Sequence, residues 1–154
     1  MFSFFYFSLH AQEKWNLNVG GNISAIKKEF GYGGDILLRY HTSEKTSVYG
    51  GGTYWTIHLP NTNKHTYMLQ YKLGANYNLT TGNTKIATIS GFSLLNSNET
   101  LLLEKDYSIG IDLGVMLVYN EGNKTRYGSF IINTYSPYSN GAIIQMGFFV
   151  DFNL

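Results

Sequence analysis

Residues 66 to 79 read TYMLQYKLGANYNL. Tyr67, Leu69, Tyr71, Leu73, Ala75, Tyr77 and Leu79 occupy one parity, and Thr66, Met68, Gln70, Lys72, Gly74, Asn76 and Asn78 fill the other. A period of two is the mark of a β-strand whose two faces meet different surroundings. The pattern returns in Tyr107, Ile109, Ile111, Leu113, Val115, Leu117 and Tyr119, and again in Ala142, Ile144, Met146, Phe148, Val150, Phe152 and Leu154. Shorter versions are Trp15, Leu17, Val19 and Tyr32, Ile36, Leu38, Tyr40. These make five strands. Segments 47–59, 85–95 and 125–135 have strand-like content, but glycines or apolar residues on both parities leave their facing open.

Between these segments the connections alternate in kind. His41 to Thr46, Thr80 to Thr84 and Asn120 to Lys124 are short, polar and rich in turn formers, which suits hairpins. Ser24 to Glu29, Pro60 to His65, Asn96 to Lys105 and Ser136 to Gly141 form a longer, more varied set. Eight strands joined in this way predict an all-β fold, a closed up-and-down antiparallel barrel. Closure leaves no sheet edge unpaired.

Composition narrows the function classes. A chain of 154 residues is one domain by length. Its net charge of +1 supplies no electrostatic footprint for nucleic acid. The absence of cysteine excludes disulfides, thiolate metal sites and a cysteine nucleophile. Mean hydropathy is −0.14, and no stretch past the N-terminus approaches the roughly 18 apolar residues of a membrane helix. At the extreme N-terminus, Phe2 to Leu9 form an apolar run before His10-Ala11-Gln12, the pattern of a partial signal peptide over residues 1–11 cleaved after Ala11, with the barrel domain over 12–154. A first hydrophobic strand is the alternative reading of that run.

Which solvent covers the apolar faces decides the function, because lipocalin-like soluble barrels and membrane barrels share the strand count. Two features favour lipid. Tyr32 and Tyr40, Tyr67 and Tyr77, and Tyr107 and Tyr119 sit at the ends of their strands with aliphatic residues between, the order of an aromatic girdle at two membrane interfaces. The opposite faces carry Gly, Ser, Asn and scattered charges, and only 14% of the chain is charged, where a soluble barrel would show many more Lys and Glu. Leu69, Leu73, Ile109, Leu113, Ile144 and Phe148 are therefore expected to face lipid.

On these girdled repeats, short turns and alternating terminal strand, residues 14 to 154 resemble the small eight-stranded outer-membrane barrels of Gram-negative bacteria, the outer-membrane protein A and X type. The resemblance implies an outer-membrane location, short turns and both termini on the periplasmic side, and long loops at the cell surface. Phe148, Val150, Phe152 and Leu154 are similar to the terminal signal read by the barrel-assembly machinery, although such strands most often end in Phe and this one ends in Leu. The family includes a lipid A deacylase that uses His, Ser and Glu on the outside of its barrel; His41, Thr42, Ser43 and Glu44 bring similar residue types together but at a short turn.

No catalytic, cofactor or metal constellation stands out. His58 and His65 flank a long loop without a third ligand at suitable spacing. Asn22-Ile23-Ser24 and Asn98-Glu99-Thr100 fit a glycosylation pattern but read as plain polar loop residues. Gly20-Gly21, Gly33-Gly34 and Gly50-Gly51-Gly52 are followed by no helix, so they form no phosphate loop; they give room inside a narrow barrel. Inward parity holds five charges: Asp35, Lys72 and Asp112 at mid-height, Arg39 and Asp151 near the periplasmic end. An eight-stranded barrel is filled by its own side chains, so these charges are expected to pair and plug the lumen, with an ion or proton path as the alternative.

The reading is a small outer-membrane barrel with a structural or surface-interaction role, not a channel and not an enzyme. Its expected partners are outer-membrane lipid and the assembly machinery, with no cofactor and no nucleic acid. The alternatives are an outer-membrane lipid-modifying enzyme and a secreted soluble barrel that binds an apolar ligand, the latter requiring the Tyr and Leu faces to point inward.

Overall fold

The computed structural model describes residues 14–26, 29–59, 64–80, 82–99, 102–120, 125–139 and 141–154; the expected leader lies outside them. Eight strands run in chain order: β1 (Trp15–Ile26), β2 (Glu29–His41), β3 (Thr46–Leu59), β4 (Lys64–Asn78), β5 (Thr84–Ser97), β6 (Tyr107–Asn120), β7 (Thr125–Tyr135) and β8 (Ile143–Asn153). Each pairs antiparallel with the next, and β1 pairs with β8 from Asn16↔Asn153 to Ile26↔Ile143, so the barrel closes. No helix occurs among the described residues.

Burial alternates as the sequence does. Along β8 the pattern runs buried, exposed, buried from Ile143 to Phe149, with Gln145, Phe149 and Asp151 inside and Ile144, Met146 and Phe148 outside. The three strands of open facing resolve the same way: Ser47, Tyr49, Thr53, Trp55, Ile57 and Leu59 of β3 point inward, as do Ala87 and Ile89 of β5 and Ile132 and Thr134 of β7. Their sequences are ambiguous because a large inward side chain sits against a glycine on the neighbouring strand. A Cβ on Gly33 would meet the Trp55 ring at 2.8 Å, and one on Gly74 would meet the Tyr49 hydroxyl at 2.5 Å. Packing in so narrow a lumen therefore pairs large with absent side chains and erases the simple alternation.

Two connections differ from the sequence reading: Pro60 to His65 shrinks to 60–63, because β4 already begins at Lys64, and the first hairpin changes more. Ser24 to Glu29 was expected to form a long loop, yet β1 continues to Ile26 and β2 begins at Glu29. Alternation persists through that stretch, with Ser24 and Ile26 buried, and Ile26 joins an apolar cluster with Trp55, Ile57 and Ile143. Tertiary packing here outweighs the local turn chemistry of a Ser- and Lys-bearing stretch. The Thr80 to Thr84 turn does follow its local chemistry: Gly82 takes φ 115°, a left-handed conformation that glycine adopts at no steric cost.

Candidate functional site: the filled lumen and its two mouths

The lumen is built in layers. At the long-loop end, Ile26, Trp55, Ile57, Leu59, Met68, Leu95 and Ile143 form an apolar plug, and Leu102 and Leu103 fold back from the β5–β6 loop to complete it. A backbone hydrogen bond from Glu104 N to Tyr138 O (2.9 Å) and a bridge between Leu103 and Ser139 tie that loop to the β7–β8 loop. Below them Ser108 and Ser136 hydrogen-bond, both buried.

The middle layer is polar and continuous. Lys72 Nζ lies 3.4 Å from Asp35 Oδ1 and donates to Gln145 Oε1 at 2.8 Å. Asp35 also accepts from Asn22 and Thr53, and the Trp55 indole N–H donates to Asn22. Gln145 donates to Gln70 (2.8 Å), and Gln70 and Thr134 donate to Asp112 (3.2 and 2.6 Å) together with Ser93 (3.1 Å). Asp112 is therefore held by neutral donors, and its link to Lys72 runs through the two glutamines. All of these groups are buried, so each hydrogen bond made here offsets desolvation that would otherwise cost about 1–3 kcal/mol per group. Asn22 belongs to this network on β1, not to a loop as its sequence context suggested.

A second apolar layer follows, with Tyr49, Ile89, Met116, Val118, Ile132 and Phe149. Beneath it, Arg39 Nη1 lies 3.2 Å from Asp151 Oδ2, and Asn16 Nδ2 donates to the same oxygen at 3.0 Å. Arg39 also lies over the Phe149 ring, 5.8 Å from its centroid. Asp35, Arg39, Lys72, Asp112 and Asp151 are thus all interior, gathered into two groups. The cavity between the layers, bounded by Asn18, Arg39, Tyr49 and Lys72, has a volume of about 20 Å³, space for a water or so.

The short-turn mouth is different. A bowl of about 780 Å³ opens there, with Arg39, His41, Lys45, Ser47, Lys85 and Arg126 among its walls. His41 makes no hydrogen bond through Nε2, and Ser43 is committed to the turn, accepting from the Lys45 and Thr46 amides. The His, Ser and Glu of this hairpin form no catalytic contact.

Outside, Leu73, Leu113 and Phe148 are exposed and Leu69 half-exposed along the middle of their strands, and Ile109 and Ile144 are exposed nearer the long-loop end. Tyr32, Tyr67 and Tyr107 project near the long-loop end, and Tyr40, Tyr77 and Tyr119 near the short-turn end. Sequence reading missed further members: Phe30, Tyr54 and Tyr135 on the first ring, Trp15 and Tyr127 on the second. Trp15 packs on Tyr40 with ring centroids 4.8 Å apart. It also missed Gln70 and Gln145, whose signal was their inward parity. His58 and His65 stand opposite each other across β3 and β4, with ring centroids 5.0 Å apart.

No protein-family model matches the chain, and no curated protein matches it by sequence. Among solved structures it is similar to Neisserial surface protein A (NspA; 14% identity, TM-score 0.66, covering 91% of this chain and 96% of that one). It is similar to the N-terminal β-barrel domain of Pseudomonas aeruginosa OprF (15%, TM-score 0.61, 90% and 97%). It is also similar to the outer membrane enzyme PagL (10%, TM-score 0.62, 90% and 99%). In fold, then, the chain is a closed eight-stranded antiparallel β-barrel, similar to these small outer-membrane barrels.

Proposed function

We propose that this protein is a non-channel scaffold of the Gram-negative outer membrane that acts through its surface loops. The observation that carries the reading is the coincidence of two patterns: an exposed aliphatic belt between two aromatic rings, and a lumen filled by hydrogen-bonded side chains. A belt of this kind suits lipid, and strands of 11 to 15 residues meet or exceed the roughly 9–11 needed to cross the hydrocarbon at a tilt. A soluble barrel that binds an apolar ligand would need the Tyr and Leu faces inside, where this barrel holds Asp35, Lys72, Gln70 and Gln145. The terminal strand with Phe148, Phe152 and Leu154 on its outer face is the segment we assign to recognition by the assembly machinery. The test is twofold: the native protein should fractionate with outer-membrane markers, and the purified barrel should give no stepwise conductance in planar bilayers. Conductance steps would sink the plugged lumen; recovery in a detergent-free soluble fraction would sink the membrane reading.

The likeness to PagL favours a second reading, a lipid-modifying enzyme. It would need a nucleophile and base on the outer face. The described histidines there are His58 and His65, which contact each other and hydrogen-bond neither a serine nor a carboxylate among the described residues. Acyl-chain release from lipopolysaccharide by the purified protein, abolished in His58→Ala, would establish that reading in place of the first.

A further inference from the structure

We propose that the short-turn mouth is a binding site for a phosphate-bearing anion. Five cationic side chains line the bowl: Lys14, Arg39, Lys45, Lys85 and Arg126. Glu44 is the one carboxylate among the described residues on its wall. The cations enter from separate elements. Lys85 of β5 stands opposite Val118 of β6, and Arg126 of β7 opposite Asn120, so the two flank the same end of β6 from either side on the inward parity. Lys14 precedes β1 and Lys45 lies in the β2–β3 turn, where their carbonyls accept from His41 N and Asn78 N and fix both segments to the rim.

Among the described residues, Lys14, Lys45, Lys85 and Arg126 have no ion-pair partner; only Arg39 is neutralised, by Asp151. Burial sharpens the point. Arg39, its side chain 6% exposed, leaves Nε without a hydrogen-bond partner, and His41 leaves Nε2 the same way. A buried donor without a partner is rare in native structures, and Arg39 Nε, on a side chain that lines a wide cation-rich bowl, marks a place where an acceptor belongs. Donors arriving from four sides suit a tetrahedral phosphate, whose oxygens accept in all directions, better than a planar carboxylate with two. The bowl is wide enough for a phospholipid headgroup or a soluble phosphate.

The experiment uses the full chain folded in zwitterionic detergent and titrated with inorganic pyrophosphate by calorimetry. Saturable binding is expected, weakened progressively by NaCl and by about tenfold or more in Lys85→Gln/Arg126→Gln, since two charge-assisted contacts are lost. Lys105→Gln, at the opposite mouth where Lys105 lies 4.2 Å over the Tyr138 ring, should leave it unchanged. Should the double variant fail to fold, Lys45→Gln in the exposed turn gives a smaller loss of the same kind. A second arm places the protein in phosphatidylcholine nanodiscs containing phosphatidylglycerol and reads retained lipid by native mass spectrometry. Phosphatidylglycerol held by the wild type and lost from the variant identifies a headgroup as the source; pyrophosphate binding without it identifies a free phosphate. Binding in neither arm, or binding that the bowl variants leave intact, overturns the proposal.

Discussion

At the long-loop end of the barrel, Leu102 and Leu103 turn inward and meet Trp55, Leu59 and Met68, leaving both leucines 1% exposed. At the other end the strands stop around Lys45, Lys85 and Arg126, and nothing folds back to cover them among the described residues. The contrast follows from the connections. A loop of nine residues between Ser97 and Tyr107 is long enough to return a hydrophobic pair to the mouth, whereas four-residue turns such as 42–45 use their side chains to close themselves, as Ser43 does with the Lys45 and Thr46 amides. One end is therefore sealed by burial and the other left hydrated and charged, with the ion-paired network between them. Energetic weight should fall in the same order, from the middle layer to the apolar mouth to the basic one.

The largest effect is expected in the middle layer. Lys72→Ala removes the cation that faces Asp35 and leaves a buried carboxylate with only neutral donors, so urea unfolding from lipid vesicles should show a loss of about 3–5 kcal/mol. The double change Lys72→Met/Asp35→Asn should be milder than Lys72→Ala alone, because the carboxylate that faced Lys72 is then neutral as well. Equal losses for both would mean that the two charges do not interact.

Next comes the belt. Leu113 is exposed midway along β6, and Leu113→Arg should cost about 2–4 kcal/mol in vesicles if it faces the bilayer midplane. The same change on a water-covered surface would be close to neutral, so a shift within about 0.5 kcal/mol would point to water on this face. Smaller again is the apolar mouth: Leu103→Ala should cost about 2 kcal/mol, the low end for a buried leucine because a loop relaxes around the void. It should not raise conductance, since the Gln70, Gln145 and Asp112 layer still fills the barrel beneath.

Much of this is legible in the sequence. Period-two alternation in residues 66–79 and 107–119 carries strand existence, facing and closure, because one buried and one exposed face leave little freedom of register. The parity that placed Asp35, Lys72 and Asp112 on one side is the parity of burial. The pairing of Arg39 with Asp151 was legible too, since closure makes β1 the bridge between β2 and β8. What the sequence could not carry was anything that depends on barrel shear and on neutral partners. The Gln70–Gln145 link spans strands far apart in the chain, and a glutamine on an inward parity does not announce which charge it will reach. The folding of Leu102 and Leu103 into the mouth was hidden because a loop has no periodicity to read. The basic bowl was hidden because Lys14, Lys45, Lys85 and Arg126 belong to four separate segments.

The smallest effect distinguishes the two mouths most clearly. Lys85 and Arg126 are half-buried, share their bowl with Lys14, Lys45 and Arg39, and form no ion pair among the described residues, Asp151 opposite Arg126 being paired with Arg39. Each adds like charge to a region that already carries it, so neutralising one relieves repulsion instead of breaking a pair. Lys85→Gln should accordingly leave stability within about 0.5 kcal/mol of the wild type, with any change in the stabilising direction. Screening makes the sign testable: the gain should be greatest near 10 mM salt, where the Debye length is about 30 Å, and vanish near 1 M, where it is about 3 Å. A loss of 2 kcal/mol or so at any salt concentration would show that Lys85 is held by a buried partner, and the short-turn mouth would then be a sealed end like the other.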